Sequence, residues 1–176
     1  AVRLEAVAGL RAQQVTAWVD ERRAQFQFLT RTPLWPELLA RWQDQGDDAA
    51  RERLLERTRD YAKGHGFASL SVIDAHGRTL PLTEGSAPAV PAPVREASRR
   101  ALATGQPAMT EIYHQPDSTP EVRLDFVVPM TAATVRGAPA RWLIVVRLDP
   151  RTDLLPMLAS WPDSRAPAVT QLVQRS

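Results

Sequence analysis

The residues of this chain that can do chemistry are few and concentrated. Arg123 and Asp125 alternate within the apolar run Val122 to Pro129, and Arg147 and Asp149 alternate within Trp142 to Asp149. Residues two apart in a strand share a face. One run therefore sets Arg123, Asp125 and Val127 against Leu124, Phe126 and Val128. The other sets Leu143, Val145, Arg147 and Asp149 against Trp142, Ile144, Val146 and Leu148. Charges inside otherwise apolar strands must be paired or bound to something. One outcome is recognition, in which an arginine fork clamps a carboxylate and an aspartate holds an amine. The other is a self-satisfied salt-bridge network or an exposed edge. Tyr113, at the end of a preceding strand, either meets a ligand or covers the rim of the core. The expected ligand-binding set is Tyr113, Arg123, Asp125, Arg147 and Asp149.

Other chemistries have little support. The chain has no cysteine, which excludes disulfides, thiolate catalysis and Cys-ligated metal while leaving the redox compartment undecided. Its three histidines, His65, His76 and His114, lack a metal-ligand spacing, so no metal is expected. No nucleophile elbow or phosphate-cradling glycine loop is present. Asp74 near His76 suggests acid–base work, but an exposed hairpin turn cannot tune either group. The expectation is a protein that is not an enzyme and carries no cofactor.

All but one of the 22 basic side chains are arginine, Lys63 being the exception, and they face 20 acids for a net charge of +2. That is no nucleic-acid binder's surplus. Most arginines lie among acids on helix faces, as where Arg51, Arg53, Arg57 and Arg59 sit beside Glu52, Glu56 and Asp60. At 176 residues the chain is long enough for one domain with a substantial core.

The elements that must position these groups follow from periodicity. Val2 to Thr30 lacks proline and spaces Leu4, Val7, Val15, Trp18, Phe26 and Leu29 as one long helix, ended at Thr32-Pro33. Its length, Trp18 and the charged run Asp20 to Arg23 suggest a partly solvated rod that forms a dimer. A second helix carries Leu34, Leu38, Leu39 and Trp42, and a third runs from Ala49 to Lys63 behind a capping aspartate. Phe67 to Asp74 and Arg78 to Leu82 read as a hairpin about Asp74-Ala75-His76-Gly77. A proline-rich loop, Thr83 to Pro93, leads to a helix over Val94 to Thr104. Strands follow at Ala108 to His114, Glu121 to Met130 and Ala140 to Asp149, then a helix over Pro150 to Trp161, and Val169 to Gln174 is a further candidate strand. The expected fold is α+β, a five-stranded antiparallel sheet with a long N-terminal helix and short flanking helices.

Four stretches carry a family resemblance: Ser71 to Arg78, Ala101 to Pro107, Leu124 to Pro129, and Arg147-Leu148-Asp149-Pro150 running through a helix to Ser160-Trp161-Pro162. With the element order, they resemble the Cache (PDC-type) extracytoplasmic sensor region of bacterial transmembrane receptors, a relative of the PAS fold. The resemblance implies a periplasmic, small-molecule-binding module of an inner-membrane histidine kinase or diguanylate cyclase. The ligand would be an amino acid, an organic acid or another small molecule. It implies residues 1–31 as a signalling and homodimerisation helix, 32–162 as the sensor module, and 163–176 as an extension toward a second module or the membrane. No stretch approaches the roughly 20 apolar residues of a membrane span. With helix starting at Ala1 and no initiator Met, the chain is expected to be a piece excised from a longer, anchored protein. The competing reading is a structural, dimerising or protein-interaction module without a ligand.

Overall fold

The computed structural model describes residues 2–81, 89–114, 122–130, 140–152 and 154–159. Three helices come first: α1 (Val2–Arg31), α2 (Leu34–Gln45) and α3 (Asp48–His65). The chain between α2 and α3 turns on two residues with separate tasks. Gly46 adopts the left-handed conformation (φ 67°), so its N–H reaches the Trp42 carbonyl and the next N–H, of Asp47, reaches that of Arg41. Asp47 then caps α3, its carboxylate accepting from the Ala50 N–H at 3.1 Å.

Strand β1 (Ser69–Asp74) and helix α4 (Ala92–Thr104) follow, then β2 (Ala108–Met109), β3 (Tyr113–His114), β4 (Val122–Met130), β5 (Trp142–Leu148) and the short α5 (Leu154–Ala159). The five strands form an antiparallel sheet in the order β1-β5-β4-β2, with β3 also paired to β4. This is the expected α+β class, and its topology is compatible with PAS-like folds in general.

Two expected strands take a different form. The return of the hairpin is a single bridge, Ile73 to Thr79, because Asp74 accepts the backbone N–H groups of His76 and Arg78 and holds the chain in a turn. The segment Ala108 to His114 is two strands, β2 and β3, for a reason given below. The last helix starts later than expected, at Leu154 rather than Pro150. It is preceded by a turn in which Thr152 N–H reaches the Asp149 carbonyl and Leu155 N–H that of Pro150. Leu82, most of the proline-rich loop, the Pro-Asp-Ser-Thr-Pro and Arg-Gly-Ala-Pro connections, Trp161 and the extension 163–176 lie outside the described residues.

The sheet is covered on both faces by unlike layers. Helices α1 to α3 cover one face, packing Phe26, Leu29, Trp35, Leu39 and Leu54 against Phe126, Val128, Ile144 and Val146. Phe26 meets both Phe126 and Phe67, with ring centroids 5.0 and 5.5 Å apart. Trp18 is partly buried and packs onto Phe126, with ring centroids 6.3 Å apart. Trp35 and partly buried Trp42 pack into the same core. Among the described residues helix α4 covers the other face, setting Val94, Ala97 and Ala101 on Ile73, Val127, Leu143 and Val145.

Candidate functional site

The face under α4 carries the chain's one charged residue that is both fully buried and described: Asp125, at 0% exposure. The strand alternation that predicted a shared face is what positions it. Asp125 and Arg147 are direct cross-strand partners in the β4–β5 register. Arg147 donates Nε to Asp125 Oδ1 at 3.0 Å and Nη2 to Oδ2 at 3.2 Å. Tyr113 donates its hydroxyl to the same Oδ2 at 2.5 Å, and Arg147 Nη2 lies 3.5 Å from the Tyr113 oxygen. A bidentate guanidinium and a phenol thus neutralise and satisfy a carboxylate that burial would otherwise make costly.

Electrostatics reinforce this arrangement. Burial, with the adjoining Asp125 charge, pushes the Tyr113 hydroxyl well above the ordinary phenol range, so it stays a hydrogen-bond donor. Burial works against the Arg147 charge, but the Asp125 carboxylate outweighs it and holds the guanidinium protonated more firmly than usual.

Tyr113 reaches Asp125 only because of a local irregularity. Ala108 pairs with Val127 and Met109 with Phe126, while Tyr113 pairs with Arg123 and His114 with Val122. Thr110 N–H still donates to the Asp125 carbonyl at 2.9 Å, but the Asp125 N–H is taken by the Thr110 hydroxyl at 3.0 Å. Between these points Glu111 and Ile112 oppose Leu124 alone, which makes a β-bulge. In an unbroken ladder Ile112 would oppose Arg123, and Tyr113 would point to the other face. The extra residue brings the phenol round to the carboxylate. Sequence reading singled out neither Thr110 nor the bulge. A buried threonine amid Ala-Met-Thr-Glu-Ile is the only trace either leaves.

Of the five expected site residues, three converge. Arg123 shares their face directly opposite Tyr113, but its guanidinium is not among the donors to Asp125. Asp149 lies beyond the end of β5, where its carboxylate accepts the Arg151 backbone N–H at 2.9 Å and the Arg151 guanidinium at 2.9 to 3.2 Å. The Arg151 side chain and N–H hold the Asp149 carboxyl below its usual range. It organises the turn into α5.

The outermost part of the cluster is Arg147. Its side chain is 26% exposed, whereas Asp125 and Tyr113 are buried, and its Nη1 has no protein partner among the described residues. Ser69, its cross-strand neighbour on β1, is exposed beside it.

Other described charged groups tie the scaffold together. Arg141 forks onto both oxygens of Asp44 at 2.9 Å and lies over the Trp142 ring at 4.4 Å, tying α2 to β5. Partial burial works to raise the Asp74 carboxyl, but hydrogen bonds from Arg78 and His76 outweigh it and hold the group low. His76 and His114 are exposed, and His65 stacks on Tyr61 with ring centroids 4.1 Å apart. Among the described residues no cluster of three His, Asp or Glu side chains can hold a metal ion, and no helix is long and apolar enough to cross a membrane. The chain matches no protein-family model and no curated protein.

Proposed function

We propose that this chain is the small-molecule sensor domain of a bacterial receptor, displayed outside the cytoplasmic membrane ahead of a histidine-kinase or diguanylate-cyclase output module. The observation that carries this reading is the buried Asp125–Arg147–Tyr113 cluster, whose arginine side chain is 26% exposed. A PAS-like sheet with an aromatic core on one face and a polar cluster under a single helix on the other has a rigid side and an adaptable one. A ligand at Arg147 would act on β4 and β5, and through Phe126 on α1, which packs against that strand. Only a differential affinity for two arrangements of these parts can carry a signal.

Pairing of two copies through α1 belongs to the same reading. Leu10 and Phe28 are 48% and 66% exposed and stand 18 residues apart, five full turns, so they lie on one line of the helix. A solution mass that stayed monomeric at every concentration would refute this element.

The second reading, a structural module without a ligand, is favoured by the closure of the cluster: Asp125 has its charge matched internally and is sealed from solvent. A thermal-shift screen against amino acids, organic acids and amines separates the two, because a ligand bound to the native state raises its apparent stability. A concentration-dependent rise in Tm that is lost in Arg147→Lys supports the sensor. No rise with any compound, in a protein that still forms its dimer, supports the structural module.

A further inference from the structure

Away from the Asp125 cluster, an open groove lies where α1 passes the C-terminal end of α4 and the outer edge of β2. Its volume is about 440 Å³. Each helix sends it a guanidinium and a neutral polar side chain from positions four apart, Arg23 with Gln27 and Arg100 with Thr104. The floor is Pro107, Ala108 and Met109, the first two buried and the third partly so. Gln27 Nε2 donates to Gln106 Oε1 at 3.1 Å and so bridges the two walls. Thr104 Oγ1 donates to the Arg100 carbonyl at 2.9 Å and accepts the Gln106 N–H at 3.2 Å, which fixes the turn beside it.

The present partners of the two arginines hold them loosely. Arg23 reaches Asp20 at 3.6 Å and Arg100 reaches Glu96 at 3.7 Å, with all four side chains 45% to 64% exposed. Exposed pairs of this length are weak. Glu96 also takes the Arg99 guanidinium, so one carboxylate serves two arginines. The firmest contact of Arg100 is with the floor, where its Nη2 donates to the Met109 carbonyl at 2.7 Å. Thr110 and Ala108 direct their backbone groups toward β4, as the Thr110 N–H bond to the Asp125 carbonyl shows. Met109 between them therefore turns its N–H, like its C=O, out of the sheet edge on the side of Arg100.

We infer that this groove binds a small carboxylate with a flat apolar body, the acid between Arg23 and Arg100 and the body on Pro107, Ala108 and Met109. A carboxylate accepts in a fork from a guanidinium, and the Met109 N–H is a further donor at the floor. A planar ring stacks on a guanidinium face and makes favourable contact with the Met109 thioether. Because Arg23 stands on α1 and Arg100 on α4, the occupant ties together the helices that cover opposite faces of the sheet. The groove shares no residue with the Asp125–Arg147–Tyr113 cluster, so the inference goes beyond the sensor reading and stands apart from it.

The test is calorimetry and thermal shift on the whole chain at matched ionic strength, with sodium benzoate, sodium acetate and benzyl alcohol as probes. Acetate is the acid without the ring, and benzyl alcohol is the ring without the charge. Benzoate should raise Tm to a plateau and bind about tenfold or more tighter than either. Its affinity should fall about fivefold or more in Arg23→Gln and in Arg100→Gln and be lost in the double variant, while Arg59→Gln, on an exposed face of α3, leaves it unchanged. Circular dichroism verifies the fold of each variant. Amide hydrogen exchange on the unaltered chain needs no variant: bound benzoate should slow exchange at Met109. Benzoate that binds no tighter than acetate, survives the double variant or slows exchange elsewhere but not at Met109 would overturn the inference. Absence of benzoate binding would overturn it too and leave the sensor reading to the wider screen. Loss of binding in Arg147→Lys with retention in the double variant would overturn it in favour of the Asp125 cluster.

Discussion

The two faces of one sheet solve different problems. Toward α1, α2 and α3 the strands present Phe126, Val128, Ile144 and Val146 to a thick layer of aromatic and branched side chains. Toward α4 they present Val127, Leu143 and Val145 to valine and alanine, and then, on the same strands, Asp125 and Arg147. A thick apolar layer leaves no room for a charge. A thin one, covered by a single helix with small residues, accommodates a charge provided its partner comes on the adjacent strand. The aromatic face is thus packed for stability, while the α4 face holds a paired charge.

The largest test of that division is Phe126→Ala. It removes a ring buried against Trp18 and Phe26 and leaves a cavity, with an expected loss of roughly 3–5 kcal/mol in denaturant unfolding. A loss below about 1 kcal/mol would break the assignment of stability to this face. Next is Arg147→Ala, which strands Asp125 without its counter-ion and should lose about 3 kcal/mol. The double replacement Asp125→Leu with Arg147→Met keeps the volume without the charges, and should recover stability to within about 1 kcal/mol of the original. Failure of the double variant to recover would make the cluster a source of stability and blur the two faces.

The smallest test uses the chain's two tyrosines, one on each face. Burial raises the Tyr61 hydroxyl, and burial with the Asp125 charge raises that of Tyr113 further. Both are raised relative to the unfolded chain, so their contribution is complete below about pH 10 and is lost as pH climbs through the folded values. Ultraviolet titration of the native protein should show both phenolates forming above the ordinary phenol range, with Tyr113 the later of the two. In Asp125→Asn the Tyr113 step should move down while that of Tyr61 stays. Movement of both together would mean that the faces are not electrically separate.

Much of this was legible in the sequence where a rule of spacing sufficed. Alternation alone put Asp125 and Arg147 on the same side of their strands, and the Gln-Gly-Asp-Asp run gave both the stop of α2 and the cap of α3. What spacing does not contain is register between distant strands. That Arg147 rather than Arg123 meets Asp125 depends on which residues of β4 and β5 stand opposite. That Tyr113 joins them depends on one unpaired position between Thr110 and Tyr113, which no periodicity records. Asp149 departs because the Asp-Pro-Arg-Thr sequence makes a better turn than a strand end, its carboxylate finding Arg151 two residues on.

The strand order also sets a timetable. Strand β1 has only a single bridge nearby in the chain and finds its ladder partner in β5, about 70 residues later, whereas β4 pairs with β2 and β3 before it closes on β5. A chain growing from the ribosome at about 5–20 residues per second therefore holds β1 without its ladder partner for several seconds, until β5 arrives between β1 and β4. Helices α1 to α3 can collapse meanwhile on local contacts, but the buried carboxylate must stay hydrated until Arg147 is made. Interruption of synthesis before Trp142 would leave two bare strand edges, a species more prone to aggregate than the unfolded chain.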